Sequence, residues 1–447
     1  RLRDTLTEYQ SQRKNMEEKW VINLRQFLGQ YDPHIASNIP EDRSQAYPRL
    51  TRVKVMSMVS RLMALLFPTS EKNWGLEASP RPTFDAEALQ NAINDWQAEN
   101  PDAVFSMDQI PRIVGRYAEK AAAAAEVVIS DQMKTLGGST VKDYESLVRK
   151  VVFSAVLYSA GVMHGPMTAL GVSSEAYMTP EGTIGVRDVE VYEPRFDFVP
   201  IWDYYPDLNA QDFDSQDGQF QRHVLSKHQL RKLAEDKSFF GDVIKKYIAG
   251  HPDGNWVETT AEQQLKAMSN QPRTTPGKKY EIFSWWGHLT GAELRDVGVD
   301  VPDESLTDDF PAVVWMVDDY VIKAAQSPFA EGTQVYHVFV FEEDEVNLLG
   351  SGLPPIMRDS QLGAAMAARM VLDNASVAAG PQMEVDTDLL DDRQDLKPMQ
   401  PFATWYKKGG RLNNHQAVRV LNIDSHVGEL MSVFEMFKGI ADVETFV

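Results

Sequence analysis

The 447-residue chain contains no cysteine. That excludes a disulfide framework and thiolate metal sites, and fits a reducing compartment or a particle assembled in one. No apolar run approaches the ~20 residues a membrane-spanning helix needs, and the start at Arg1 lacks the charged-then-apolar profile of a secretory signal. A non-membrane protein made inside the cell is expected, and the opening Arg and the stop at Val447 suggest a piece of a longer product. Positive charge is scarce as well: 44 Lys and Arg stand against 65 Asp and Glu, a formal charge of −21. Tight grip on nucleic acid comes from Lys and Arg displacing phosphate counterions, so this balance argues against such a grip but not against a surface that DNA slides past. Motifs that carry catalysis are missing too: there is no GxxxxGK[ST] loop, HExxH, GxSxG elbow or GxGxxG. The nine histidines are scattered singly, and His164, His223, His228 and His288 read as structural or exposed residues. No catalytic set, metal or cofactor is expected.

What is present begins with a 43% apolar fraction, ample for a large core and for two or three domains. Acid is concentrated: the 65 residues from Glu281 to Glu345 hold fifteen Asp and Glu against Arg295 and Lys323, which is 13 of the 21 net negative charges. The same stretch reads as strands at 280–289 (YEIFSWWGHL), 312–323 (AVVWMVDDYVIK) and 335–341 (VYHVFVF), rich in β-branched and aromatic residues. Before it, Leu2, Leu6, Tyr9, Met16, Trp20, Leu24 and Phe27 mark an amphipathic N-terminal helix. Val55, Val59, Leu62, Met63 and Leu66 mark a second at 52–66, closed by Phe67-Pro68. Helical patterns return at 86–99, at 116–136 and at 142–163, the last closed by Gly165-Pro166. Short strands and turns follow at 169–200, then a helix at 227–236.

After the acidic stretch, 353–380 reads as one helix with Pro354-Pro355 in its first turn and Gly380-Pro381 beyond its end. Its Ala364, Ala365, Ala367, Ala368, Ala375, Ala378 and Ala379 keep it thin enough for close helix approach, in a ring of subunits or inside one domain. Strand-like pieces at 402–406 and 417–423 precede a final amphipathic helix from about Ser425, with Val427, Leu430, Met431, Phe434, Phe437 and Ala441 on one face. The aspartates of 196–218 (FDFVPIWDYYPDLNAQDFDSQDG) invite a calcium reading, but the spacing misses the EF-hand loop: its third ligand position holds Gln216 and its twelfth His223. Turn and cap roles are expected for them. Asp318-Asp319 read as strand neighbours pointing to opposite faces, poorly placed for shared acid–base work.

Taken in order, three segments resemble the portal (head-to-tail connector) protein of tailed bacteriophages, most closely that of short-tailed phages: 59–82 (VSRLMALLFPTSEKNWGLEASPRP), 187–233 with its Ser226-x-x-x-Leu230 helix, and 350–374 (GSGLPPIMRDSQLGAAMAARMVLDN). The resemblance runs over nearly the whole chain. It implies an α+β portal fold: a mainly helical wing with a β-region (1–225), a stem helix region (226–279), an inserted acidic β-rich clip (280–350), a second stem helix paired with the first (351–380), and a C-terminal wing part (381–447). The tunnel loop and crown would lie beyond it. It implies a ring, a dodecamer in this family, at one vertex of the virion capsid, assembled in the host cytoplasm. Double-stranded DNA would pass through its channel non-specifically, and the major capsid protein, the terminase large subunit and then the head-tail adaptor and tail proteins would dock on it.

On this reading Arg358 and Arg369, with Lys407, Lys408 and Arg411, are candidates for weak phosphate contact in the channel, surface solvation being the alternative. Asp300, Asp303, Glu304, Asp308 and Asp309 are candidates for docking the motor or adaptor through basic residues of the partner. Two other functions stay open: a divalent-metal-dependent nucleic-acid hydrolase using the aspartates of 203–217, and a monomeric adaptor with no channel.

Overall fold

The apolar stripe at the N-terminus folds as expected. Helix α1 (Leu2–Leu28) buries Leu6, Tyr9, Met16, Trp20 and Phe27. The computed structural model describes residues 1–68, 74–79, 84–101, 106–136, 143–178, 184–269, 278–329, 334–380, 382–386, 388 and 418–446. They form two compact units, one of 1–24 with 55–355 and one of 25–54 with 356–447, so that α1 and two later helices have residues in both.

After the short α2 (Pro33–Ala36), α3 (Leu50–Leu66) buries Val55, Val59 and Met63 from its expected stripe. Helix α4 (Ala86–Glu99) starts where Asp85 accepts the Ala88 N–H. Helix α5 (Ile110–Thr135) begins earlier than the expected 116, because Pro111 fits a first turn. Helix α6 (Tyr144–Leu157) is capped by Asp143 and buries seven of its fourteen residues. It ends well short of Met163. Chain from Ala160 onward is claimed as strand by partners on both sides, since β1 (Ala160–Met178) pairs with β2 (Ile184–Val199) and, at Ala160 to His164, with a distant strand. The Gly165-Pro166 pair breaks the β1 ladder instead of closing a helix. Gly161 lets β1 press on α6: a Cβ there would lie 1.9 Å from the Val151 carbonyl oxygen. The expected short strands of 169–200 are two long antiparallel ones.

Next come β3 (Tyr204–Tyr205) and β4 (Gly218–Ser226), then α7 (Lys227–Leu233), α8 (Gly241–Gly250) and α9 (Thr260–Met268). Strand β5 (Lys279–Thr290), α10 (Gly291–Asp296), β6 (Asp309–Val317), β7 (Tyr320–Gln326) and β8 (Tyr336–Val340) follow. Two antiparallel sheets result, β3-β4-β5-β6-β7 and β2-β1-β8. Strands of 280–350 pair with strands outside that stretch: β5 pairs with β4 along the full length of β4, and β8 joins the other sheet. Both faces of β5 are buried, and period-two alternation divides its side chains between them. Phe283 and Trp285 meet Leu6 and Tyr9 of α1, while Tyr280 and Ile282 meet Leu230 of α7 and Ile244 of α8. The expected strand 312–323 is a hairpin, β6 and β7, turning at Asp318-Asp319, where Asp318 takes φ +48°.

The second unit gathers part of 25–54 around α11 (Leu353–Ile356, begun in the first unit), α12 (Arg358–Ala378), a ribbon of β9 (Gln382–Val385) with β10 (Val418–Leu421), and α13 (Val427–Thr445). The two prolines start α11, and the chain breaks at Met357 before α12, so 353–380 is two helices. Inside the unit Gln361 is wholly buried, accepting from the Thr51 N–H at 3.0 Å and donating to the Pro48 carbonyl at 2.6 Å. The long helix that packs along α12 is α13. Residues 227–268 hold three short helices, of which α7 and α8 pack on strands of the five-stranded sheet. A four-residue β9 and four-residue β10 stand where 381–447 was read as wing.

Candidate functional site

The acidic candidates fall together. Asp300, Asp303, Glu304, Asp308 and Asp309 are all exposed on the segment that leaves α10 and enters β6, with Asp296 beside them. Backbone bonds shape this loop: Gly291 and Ala292 at the start of α10 donate to the carbonyls of Asp308 and Leu306, each at 2.9 Å. Thr290 caps α10 in a reciprocal capping box with Glu293. Arg295 pairs with Asp303 at 2.6 Å, and Arg1 pairs with Glu293 of α10 and feels Asp309, so the exposed carboxylates of the patch outnumber the guanidinium groups beside them. Such a surface repels phosphate and attracts a basic partner at long range, an effect that salt screens.

The basic candidates are placed differently. Arg358 is half-buried, its Nε donating to Gln26 Oε1 at 3.4 Å, and Arg369 lies 5.2 Å over the ring of Tyr31. Both guanidinium groups serve packing within the second unit, not an open cationic surface. Lys407, Lys408 and Arg411, and the strand expected at 402–406, lie outside the described residues.

The aspartates of 203–217 do not converge. Asp203 pairs with Arg222, Asp207 accepts from the Asn209 N–H, and Asp212 accepts from the N–H groups of Asp214 and Ser215, as turn residues do. Asp214 accepts from Gln334. Among the described residues no group of three His, Cys, Asp or Glu side chains could hold a metal ion. Asp318, read as a strand residue, is a turn residue whose carboxylate accepts from Tyr247 and, at 3.0 Å, from Asn255.

Sequence reasoning missed one charged centre. Arg222 on β4 is buried and reaches Asp203 at 2.9 Å, Glu262 of α9 at 2.6 Å and Glu281 of β5 at 3.3 Å. Burial pushes the Asp203 and Glu281 carboxyls above their ordinary range, against the pull of Arg222. The signal was available: Gly218, Phe220 and Arg222 share the inward register of β4, and an inward Arg demands carboxylate partners. Its role is to tie three elements to the 3₁₀ turn Ile201–Asp203. Arg13 grips the same turn from α1, donating to the carbonyls of Trp202 and Tyr204 while stacking 3.5 Å from the Tyr205 ring.

His164 is held neutral, its pKa pushed down to about 4 by burial between Trp286 and Tyr336. His223 falls to about 4 by burial and by the nearness of His164, stacks on Trp315 and bonds Ser284 Oγ at 3.0 Å. His228 and His288 are exposed. The first unit holds two large concavities among others. One, about 410 Å³, is lined by amides and aromatics including Gln216, Gln219, Trp286 and Tyr336. The other, about 440 Å³ and nearly all apolar, is lined by Val59, Phe153, Phe198 and Trp202. Among the described residues no helix is long and apolar enough to cross a membrane.

Compared with models of protein families and with curated proteins, the chain matches none of them.

Proposed function

We propose that the chain is a structural portal protein of a short-tailed bacteriophage: a ring at one capsid vertex that conducts DNA during packaging and ejection and docks the packaging motor and then the tail adaptor. The observation that carries the reading is the α12–α13 pair. Two helices of 21 and 19 residues bracket the β9–β10 ribbon and leave apolar side chains on their outer faces. A stem of paired helices closed by a clip is what the portal resemblance implies. We therefore assign the stem to α12 and α13.

Charge supports the same function. Each Lys–phosphate contact adds affinity that becomes friction on moving DNA, and this chain carries −21 with its arginines at 358 and 369 engaged internally. The exposed loop of Asp300, Asp303, Glu304, Asp308 and Asp309 suits a basic adaptor or motor surface. The protein works without its own catalytic centre, the energy for packaging coming from the terminase. Negative-stain imaging of the purified chain tests the proposal. Rings with an axial hole are expected, whereas uniform small particles would leave the monomeric adaptor reading in its place.

A further inference from the structure

The 410 Å³ cavity of the first unit is lined from β4, β5 and β6 of the five-stranded sheet and from the start of β8. Its size falls in the range of small-molecule sites, about 300–1,000 Å³. Register explains its wall: Gln219 of β4 stands opposite Trp286 of β5, so the amide and the indole share one face of the sheet. Tyr336 of β8 adds a second, buried ring. Gln216 lines the cavity too and is only 8% exposed. Its Oε1 accepts from the Asp207 N–H at 3.3 Å, while its Nε2 is buried with no hydrogen-bond partner among the described residues. A buried donor left unmet is costly, so the site calls for an acceptor. Gln219 gives its Oε1 to the Tyr204 hydroxyl at 2.8 Å, which leaves its two N–H donors for another partner. Exposed Asp214, also in the lining, accepts from Gln334 through Oδ1 and keeps acceptor capacity on Oδ2.

We propose that this cavity binds a neutral sugar, its ring stacked on Trp286 and its hydroxyls shared between the amides of Gln216 and Gln219 and the carboxylate of Asp214. The site stands apart from the ring reading above and does not depend on it. Three features select the ligand class. Among the described residues no Lys or Arg lines the cavity, and Asp214 sits in one short run with exposed Asp212 and Asp217, so phosphate and carboxylate ligands are repelled. The indole of Trp286 offers a broad apolar face, which suits the C–H side of a pyranose ring. Sugar hydroxyls both donate and accept, as amide donors beside a carboxylate acceptor require. A purely apolar ligand would leave the Gln216 amide unmet.

Titration of the whole chain with glucose, galactose, mannose, N-acetylglucosamine and maltose, followed by tryptophan fluorescence and saturation-transfer NMR, tests the site. Saturable binding of at least one of these sugars is expected. Gln219→Ala and Asp214→Ala should each weaken it at least tenfold with unchanged urea midpoints, and Trp286→Leu should abolish both binding and the fluorescence change. Because Asp214 is exposed, its variant separates lost binding from lost folding. The 6-phosphate of a bound hexose is expected to bind at least tenfold more weakly than the hexose itself. No binding by any of the five sugars overturns the proposal, as does binding that survives all three substitutions. Tighter binding of adenosine or uridine than of every sugar also overturns it. None of these results bears on ring formation, which native mass spectrometry reads separately.

Discussion

Replacing Arg222 by methionine should unfold the first unit far more readily, by an amount the geometry bounds. The guanidinium is buried, its side chain 6% exposed, and the three carboxylates around it are 27, 19 and 24% exposed. Removing one member of a buried ion cluster costs about 3–5 kcal/mol, because the partners stay buried without compensation. The partial exposure of the acids points to the lower end, about 3 kcal/mol. Urea unfolding followed by tryptophan fluorescence reads this well, since Trp285 and Trp286 lie on β5 beside Glu281. A shift of the midpoint by about 1 M is expected at pH 7.5. The pH dependence has a definite sign. Burial already raises Asp203 and Glu281, and loss of Arg222 raises them further. A carboxylate raised in the folded state stabilises it when protonated, below the ordinary range near 4, and that contribution is lost as pH rises through the folded value. The deficit should therefore be largest at pH 7.5 and shrink toward pH 5. A loss under about 1 kcal/mol, or one equal at both pH values, would refute the reasoning.

Three further outcomes are expected. His164, depressed to about 4 by burial, contributes stability above the ordinary value of 6.5 that is lost as pH falls toward 4; His164→Phe should flatten the decline between pH 6.5 and 4.5 by up to about 1.4 kcal/mol per pH unit, read from urea midpoints. Gly363→Val places bulk where even an added Cβ would lie 2.5 Å from the Phe437 ring and should cost about 1–3 kcal/mol, seen as faster hydrogen exchange in α12 and α13 with β4 and β5 unchanged. Changing Asp300, Asp303, Asp308 and Asp309 together to asparagine should leave stability within about 0.5 kcal/mol while weakening polylysine binding and flattening its salt dependence in titration calorimetry. Unchanged salt dependence would remove the loop from the docking proposal.

Local pattern carried much of the fold. The stripe of α1, the limits of α4 and the final helix were readable from spacing, because each buries one face of a single continuous element. Pairings between distant residues were not readable. Ala160 looks helical beside α6, yet becomes strand because Val340 and its neighbours pair with it from the far end of the unit. The run 312–323 looked like one strand, although the adjacent aspartates at 318 and 319 were a turn signal within it. The acidic loop was legible from composition alone, since exposed charge needs no partner. The Arg222 cluster draws on residues 203, 222, 262 and 281, and no local window holds them.

Native mass spectrometry of the purified chain in moderate salt tests the central claim most directly. A ring of twelve 50.4 kDa chains, with a mass of about 600 kDa, is the predicted result. A stable monomer or dimer at the same concentration would contradict it.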